Sequence, residues 1–258
     1  MAAEFDSSSW DRVLKQYVTE QGRVDYAALK AHPEDLNRYV RMLGERSPLS
    51  HPADFPTRQS KLAYWINAYN AFVVQGVVNA WPTDSVRSIH ALYGFFWRGK
   101  FTAGGERYTL WHIENQFLRK QLPEPRIHFA LVCAANSCPR LSRTAYTAEN
   151  TGRQLEEAAR FYFTESRNLT IEVAGNRVWL SKIMDWYRAD FESWARAHRP
   201  GSSQPLLEYV KVYAAPGKAQ ALASLQNPKI SFYEYDWGIN DVNAPNPSPR
   251  YSHPEARP

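Results

Sequence analysis

The chain has only two cysteines, three methionines and no long hydrophobic run. No apolar stretch approaches the roughly twenty residues that a membrane-spanning helix needs, so we expect no membrane span. Lysine and arginine give a formal net charge of +5, but they are spread along the chain and form no cluster dense enough for a nucleic-acid arm. A membrane-spanning protein and a nucleic-acid-binding protein are therefore not expected.

The beginning of the chain, MAAEFDSSSW, lacks the basic start and the apolar core of a signal peptide. Two interpretations stay open: a cytosolic protein, or the mature form of an exported protein that starts at a new methionine. Small residues ahead of a polar stretch favour the second, so we expect a periplasmic or secreted location. The two cysteines fit either case, as a local disulfide in an oxidising compartment or as thiols in the cytosol.

The pattern of apolar residues predicts an α+β fold. Helical patterns come early and hairpin patterns come late, with turns expected at Gly104–Gly105 and at Gly175–Asn176, and regular strand–helix–strand units are missing. We expect a single compact domain over residues 9–241, with helices packed around a small, mainly antiparallel sheet and one central buried helix. Nine tryptophans and fifteen tyrosines predict large buried side chains whose polar ends need partners. Residues 1–8 are expected to be a disordered lead, and residues 242–258 a disordered, proline-rich tail.

The strongest helical stretch is residues 59–80, QSKLAYWINAYNAFVVQGVVNA, which is apolar on nearly all sides and is expected at the centre of the core. It carries Asn67 and Asn70 three residues apart, with Tyr69 beside them. Buried amides need hydrogen-bond partners. One interpretation is that the two asparagines hold the backbone of neighbouring loops. The other is that they line a polar site next to the cysteines.

The stretch RIHFALVCAANSCPRL, residues 126–141, holds Cys133, Cys138 and His128 within eleven residues. Its apolar run 127–132 predicts a buried strand that leads into a short polar loop. On an ideal strand, Cys133 points away from His128. Cys138 lies beyond the end of the strand and can fold back toward the ring, at the start of a helical turn whose dipole favours a thiolate. Geometry therefore favours Cys138 as a reactive residue.

Five motifs follow one another in a fixed order: WINAYNAF, HIENQFLR, IHFALVCAANSCPRL, WYRADF and YEYDWGIN. Together they resemble the family called domain of unknown function 547, over about residues 10–240. The resemblance supports the expected domain boundaries and implies no established activity. Bacterial members often carry export signals. Plant members have a serine at the position of Cys138 and keep a cysteine at the position of Cys133, so the family pattern favours Cys133.

The first functional hypothesis is a cysteine-dependent hydrolase or acyl transferase that acts on an amide or ester bond. His128 is the expected base, and Cys133 or Cys138 the nucleophile. The group that orients the base would be Glu114, one of the two asparagines or Asp236. Glu114 lies among apolar residues of a predicted helix over residues 109–122, for which Thr109 is the candidate cap, so we expect a half-buried carboxylate. An ion pair with a nearby arginine is the alternative.

This hypothesis implies a small-molecule or peptide substrate and no cofactor. The residues expected to contact the substrate are Asn67, Asn70, Tyr69, Arg140 and Asp236. A helix followed by strands that carry polar residues is loosely similar to papain-like and transglutaminase-like folds. In those folds, however, the cysteine starts the buried helix and precedes the histidine.

Two other hypotheses follow from the same residues. The first is a noncatalytic peptide- or glycan-binding scaffold, in which tryptophans and tyrosines build a groove and the cysteines are core thiols or a disulfide. The second is a metal site formed by His112, His128 and the two cysteines. Because the spacing of the cysteines lacks the usual zinc signature, we expect no metal. The sequence does not predict an oligomeric state.

Overall fold

A computed structural model of the chain describes residues 5–90 and 94–244. Within these residues helices predominate and the strands are short, so the predicted α+β class is confirmed. None of the helices described is long and apolar enough to cross a membrane. The chain divides into two compact units: the first runs to Leu155 and resumes at Trp237, and the second is Glu156–Asp236. The units are described separately below.

The first unit consists of helices and one hairpin. Its α-helices are α1 (Ser8–Tyr17), α2 (Tyr26–Ala31), α3 (Glu34–Glu45), α4 (Arg58–Ala80), α5 (Val86–Ile89), α6 (Gly94–Trp97) and α7 (Leu110–His112). Its strands are β1 (Lys100–Ala103) and β2 (Glu106–Thr109), and it has 3-10 helices at Pro52–Asp54 and Pro125–Phe129 and a π-helix at Ile113–Gln121. Helix α8 (Thr151–Tyr162) begins in this unit.

Helix α4 is the buried centre of the first unit, as predicted. Sixteen of its 23 residues are buried, so it has no solvent-facing stripe over most of its length. It begins with a capping box, in which the side chain of Thr57 accepts from the N–H of Ser60 and the side chain of Ser60 accepts from the N–H of Thr57. This cap satisfies two backbone donors at the start of the helix.

The hairpin predicted around Gly104 and Gly105 is confirmed. Strands β1 and β2 pair antiparallel, and both glycines have positive φ values, 60° and 87°, which glycine adopts without strain. The predicted cap at Thr109 is also present, since its side chain accepts from the N–H of His112. Beyond α7 the predicted helix continues as the π-helix Ile113–Gln121.

The predicted strand over residues 127–132 is wrong. The segment forms the 3-10 helix Pro125–Phe129 and then a loop without regular structure. Pro125 suits the first turn of a helix because its ring fixes φ, and Glu124 caps that turn. A short apolar run has the same composition whether it is a buried strand or a buried turn, so periodicity could not separate the two.

The predicted lead, residues 1–8, is partly outside the described residues, because the structure describes the chain from Phe5. The ring of Phe5 packs against Tyr39, Phe55 and Tyr64, with centroids 6.1, 5.6 and 5.2 Å away. Residues 5–8 therefore belong to the fold. Most of the predicted tail, from residue 245 on, also lies outside the described residues.

The second unit contains a three-stranded sheet and four helices that follow α8. The strands are β3 (Leu169–Glu172), β4 (Arg177–Leu180) and β5 (Lys229–Phe232), and the helices are α9 (Lys182–Trp186), α10 (Arg188–His198), α11 (Pro205–Tyr213) and α12 (Pro216–Ser224). β3 and β4 form the predicted antiparallel hairpin, whose turn contains Gly175 and Asn176. β5 pairs parallel with β4. Antiparallel pairs thus outnumber parallel ones in the described sheets, as predicted.

Two helical glycines give a matched test of the packing around α4. A Cβ at Gly76 would lie 2.3 Å from a ring carbon of the buried Phe95, whereas a Cβ at Gly152 in α8 would meet nothing within 4 Å. We predict that Gly76→Ala lowers the free energy of unfolding by about 1–3 kcal/mol through overpacking. Gly152→Ala should raise it by up to about 1 kcal/mol through helix propensity.

Urea unfolding of both variants measures the two effects. The expected changes in the free energy of unfolding have opposite signs in the two variants. This difference separates the steric clash at Gly76 from the general effect of replacing a helical glycine by alanine. A Gly76→Ala variant as stable as the parent protein would contradict the close contact between α4 and Phe95.

Candidate functional site

Asn70 holds the chain immediately before the first cysteine. Its side chain is 2% exposed, its Nδ2 donates to the carbonyl oxygen of Ala130 at 2.9 Å, and its Oδ1 accepts from the N–H of Val132 at 3.0 Å. One side chain thus satisfies both a donor and an acceptor of a loop that has no strand partner there.

Asn67 makes the same arrangement with a second loop. Its Nδ2 donates to the carbonyl oxygen of Tyr146 at 2.8 Å, and its Oδ1 accepts from the N–H of the same residue at 2.9 Å. Both asparagines therefore hold the backbone of neighbouring loops, which is the first of the two interpretations given above. We class Asn67 and Asn70 as positioning residues.

Cys133 and Cys138 are joined by a disulfide, with their Cα atoms 6.1 Å apart. Cys133 is partly exposed, whereas Cys138 is buried at 3% exposure. The N–H of Cys133 donates to the Sγ of Cys138 at 2.8 Å. A cysteine nucleophile acts as a thiolate. In this covalent state neither sulfur can attack a carbonyl.

The cysteine loop is also held by the chain segment 238–240. The carbonyl oxygen of Ala134 accepts from the N–H of Asn240 at 3.0 Å, and the N–H of Asn136 donates to the carbonyl oxygen of Gly238 at 2.7 Å. Ala134 has φ of 59°, in the left-handed region that a non-glycine residue rarely adopts. The loop is thus held both by the side chain of Asn70 and by backbone hydrogen bonds with residues 238–240.

The other predicted catalytic residues lie in the same unit. His128 is 3% exposed in the 3-10 helix Pro125–Phe129. Glu114 is 8% exposed, and the hydroxyl of the buried Tyr69 donates to its Oε2 at 3.4 Å. Glu114 is thus more deeply buried than the half-buried carboxylate expected from the sequence, and Tyr69 has a contact within the fold.

The remaining predicted residues lie in different surroundings. Arg140 donates to the carbonyl oxygen of Glu20 at 2.9 Å. Asp236 is half-buried and belongs to the second unit. The ring of His112 lies against Tyr108 and Phe117, with centroids 5.3 and 4.9 Å away. In the described part of the chain, no three histidine, cysteine or acidic side chains are grouped so that they could hold a metal ion.

A cleft of about 560 Å³ in the first unit was not predicted from the sequence. Three segments line it: residues 5–11, 54–64 and 144–154. Its apolar side is formed by Phe5, Phe55 and Tyr64, whose ring centroids lie 4.9–5.6 Å apart. We call these three side chains the aromatic floor.

Three carboxylates, Asp6, Asp11 and Asp54, also line the cleft, and we call them the acidic rim. Asp6 lies just before helix α1, where its Oδ1 accepts from the N–H of Ser8 at 2.8 Å. This hydrogen bond lowers the pKa of Asp6, so its carboxylate is ionised at neutral pH. Nothing in the sequence indicated this cleft.

Side chains hold the wall formed by residues 144–147 in place. Asp11 Oδ1 accepts from the N–H of Ala145 at 3.0 Å, and Gln154 Nε2 donates to the carbonyl oxygen of Ala145 at 2.9 Å. Asn67 holds the next residue, Tyr146. Although this wall has no regular secondary structure, its backbone groups are paired and its position is fixed.

Residues 53–163 match the model of the family described as "Protein of unknown function, DUF547". This stretch of the chain belongs to the DUF547 family. The DUF547 segment includes all of α4, the disulfide loop and two of the three walls of the cleft. No curated protein and no solved structure matches the chain, so the comparison with papain-like and transglutaminase-like folds is not confirmed.

The sequence resemblance to the DUF547 family extended further, to about residues 10–240. The family model supports three of its five motifs, WINAYNAF, HIENQFLR and IHFALVCAANSCPRL, which lie within residues 53–163. The third wall of the cleft, residues 5–11, precedes the matched segment.

Asn70→Ala tests the anchoring of the cysteine loop. The substitution removes both partners of a buried N–H and a buried carbonyl, at Val132 and Ala130, so we predict a loss of roughly 2–4 kcal/mol in the free energy of unfolding. Urea unfolding measures the loss. Asn37→Ala, on the exposed face of α3, is the matched control and should change the stability by less than about 0.5 kcal/mol. Equal, small losses in both variants would contradict the anchoring role.

Proposed function

We propose that the chain is a noncatalytic binding domain that holds a short basic peptide in the cleft of the first unit. The observation that carries the proposal is the combination of the aromatic floor and the acidic rim in one cleft. Its volume, about 560 Å³, is in the range of about 300–1,000 Å³ that is typical of ligand sites.

The aromatic floor supports the binding of apolar parts of a peptide. Phe55 and Tyr64 are almost fully buried, and the hydroxyl of Tyr64 already donates to the carbonyl oxygen of Arg46 at 2.7 Å. The rings are therefore fixed before a ligand arrives. A site whose side chains are already ordered loses little entropy on binding.

The acidic rim favours a cationic ligand. Asp11 and Asp54 pair with Lys15 and Arg46, whose side chains are 61% and 57% exposed. Exposed pairs of this kind contribute little and can be exchanged for a ligand cation. A neutral glycan would gain no charge pairing from these carboxylates, which is why we favour a peptide with lysine or arginine.

The cysteine-dependent hydrolase or acyl transferase stays a prediction. It requires a thiolate, and therefore reduction of the disulfide between Cys133 and Cys138. Peptide binding in the cleft requires no change in the covalent state of the protein. The binding proposal is therefore the one that the geometry supports better.

Titration calorimetry with the probe peptide acetyl-Phe-Lys-Phe-Arg-amide tests the proposal. We expect saturable 1:1 binding that weakens with added salt, and no binding of acetyl-Phe-Glu-Phe-Glu-amide. The double variant Asp6→Asn/Asp54→Asn should bind about two- to thirtyfold more weakly, because each partly exposed charge pair contributes about 0.2–1 kcal/mol. Affinity should also fall at acid pH as Asp6 becomes protonated, and its hydrogen bond from the N–H of Ser8 lowers its pKa and so shifts this loss to lower pH.

Three controls make this test specific. Glu234→Gln removes an exposed carboxylate in the second unit and should leave the affinity unchanged. Thr144→Trp places a large side chain at the exposed edge of the cleft and should abolish binding, while Thr164→Trp, at an exposed site elsewhere, should not. Binding of chitotetraose but not of the basic peptide, or binding that Thr144→Trp leaves intact, would contradict the proposal.

A further inference from the structure

We infer that the disulfide between Cys133 and Cys138 is a reversible thiol–disulfide exchange site, at which a low-molecular-weight thiol attacks the sulfur of Cys133. The two cysteine residues differ in exposure: Cys133 is partly exposed, while Cys138 is 3% exposed. We therefore expect an external thiol to attack at Cys133 rather than at Cys138. This inference does not depend on the proposed peptide binding.

The hydrogen bond within the loop favours Cys138 as the leaving group. The N–H of Cys133 donates to the Sγ of Cys138 at 2.8 Å, so negative charge that develops on this sulfur has a donor already in place. Hydrogen bonding to the charged form of a group lowers its pKa. A thiol of lower pKa leaves faster in thiol–disulfide exchange.

The loop does not need the disulfide to keep its shape. Asn70 holds Ala130 and Val132 on one side, and the backbone of residues 238–240 holds residues 134–136 on the other. None of these hydrogen bonds uses a sulfur atom. After reduction the two cysteines should stay adjacent, so the disulfide can form again without a rearrangement of the backbone.

The spacing of the pair agrees with this role. The disulfide links residues only five positions apart, so it closes a very short loop. The constraint that a disulfide places on the unfolded chain is small for a short loop. This disulfide contributes little to stability, and other contacts already fix its loop. Both properties suit a reversible redox pair better than a structural disulfide.

The exchange proceeds in two balanced steps. A thiolate attacks the Sγ of Cys133, forms a mixed disulfide and breaks the bond to Cys138, whose sulfur takes the electron pair and then a proton. A second thiolate attacks the external sulfur of the mixed disulfide and releases Cys133 as a thiolate. The protein pair gains two electrons, and two external thiols become one external disulfide. The reverse sequence oxidises them again.

Native equilibration in buffers of reduced and oxidised glutathione tests the inference. Samples at neutral pH are quenched with acid and alkylated, and mass spectrometry then counts the thiols. We expect reversible reduction of the pair, with the circular dichroism spectrum unchanged and the melting temperature lowered by only a few degrees. Reduction that requires denaturant, or that unfolds the protein, would overturn the inference.

The order of attack is tested with single variants. In Cys138→Ser, the remaining Cys133 should form a 1:1 mixed disulfide with oxidised glutathione at least tenfold faster than Cys138 does in Cys133→Ser. Equal rates, or a faster Cys138, would overturn the assignment of Cys133. Should either variant fail to fold, the parent protein decides: the mixed disulfide trapped by acid and iodoacetamide during native reduction should carry glutathione on Cys133 and the alkyl group on Cys138, and the reverse placement would overturn the assignment.

Discussion

The amide side chains of Asn67 and Asn70 are the interactions on which the functional region of this protein depends. Each presents a donor and an acceptor to the backbone of a loop that has no secondary structure to satisfy it, over distances of 2.8–3.0 Å. The two residues lie three positions apart on a buried helix, so both amides project from one face. In a dry interior such bonds are costly to lose, because the groups left behind have no water to replace them.

These two asparagines position both features to which we assign a role, the cleft and the cysteine loop. Asn67 fixes Tyr146 in one wall of the cleft, and Asn70 fixes the chain that leads to Cys133. The cleft therefore has ordered walls before it meets a ligand, and the cysteine loop has a shape that does not rest on its disulfide. Irregular segments serve here as rigid parts because a central helix supplies the hydrogen bonds that a sheet would otherwise supply.

Much of the fold could be predicted from the sequence, because its signals are local. The apolar composition of residues 59–80 indicated a central helix, and paired glycines at 104 and 105 indicated a hairpin turn. The asparagines were recognised as buried amides in need of partners, but which backbone they would meet depends on how distant loops return to the helix. The strand predicted at residues 127–132 failed for a related reason, since only tertiary packing distinguishes a buried turn from a buried strand. The cleft could not be predicted, because its walls come from segments far apart in the chain and Phe5 precedes every motif.

The most direct test of this account is native-state hydrogen exchange at the amides of Val132 and Tyr146, measured in the oxidised and in the reduced protein. These two loop amides donate hydrogen bonds to the side-chain oxygens of Asn70 and Asn67 on α4. We predict that both exchange as slowly as amides of the core helix α4, and that reduction of the disulfide leaves this protection unchanged. Exchange at the rate of an unprotected loop, or protection that disappears on reduction, would contradict the claim that the asparagines hold these loops in place.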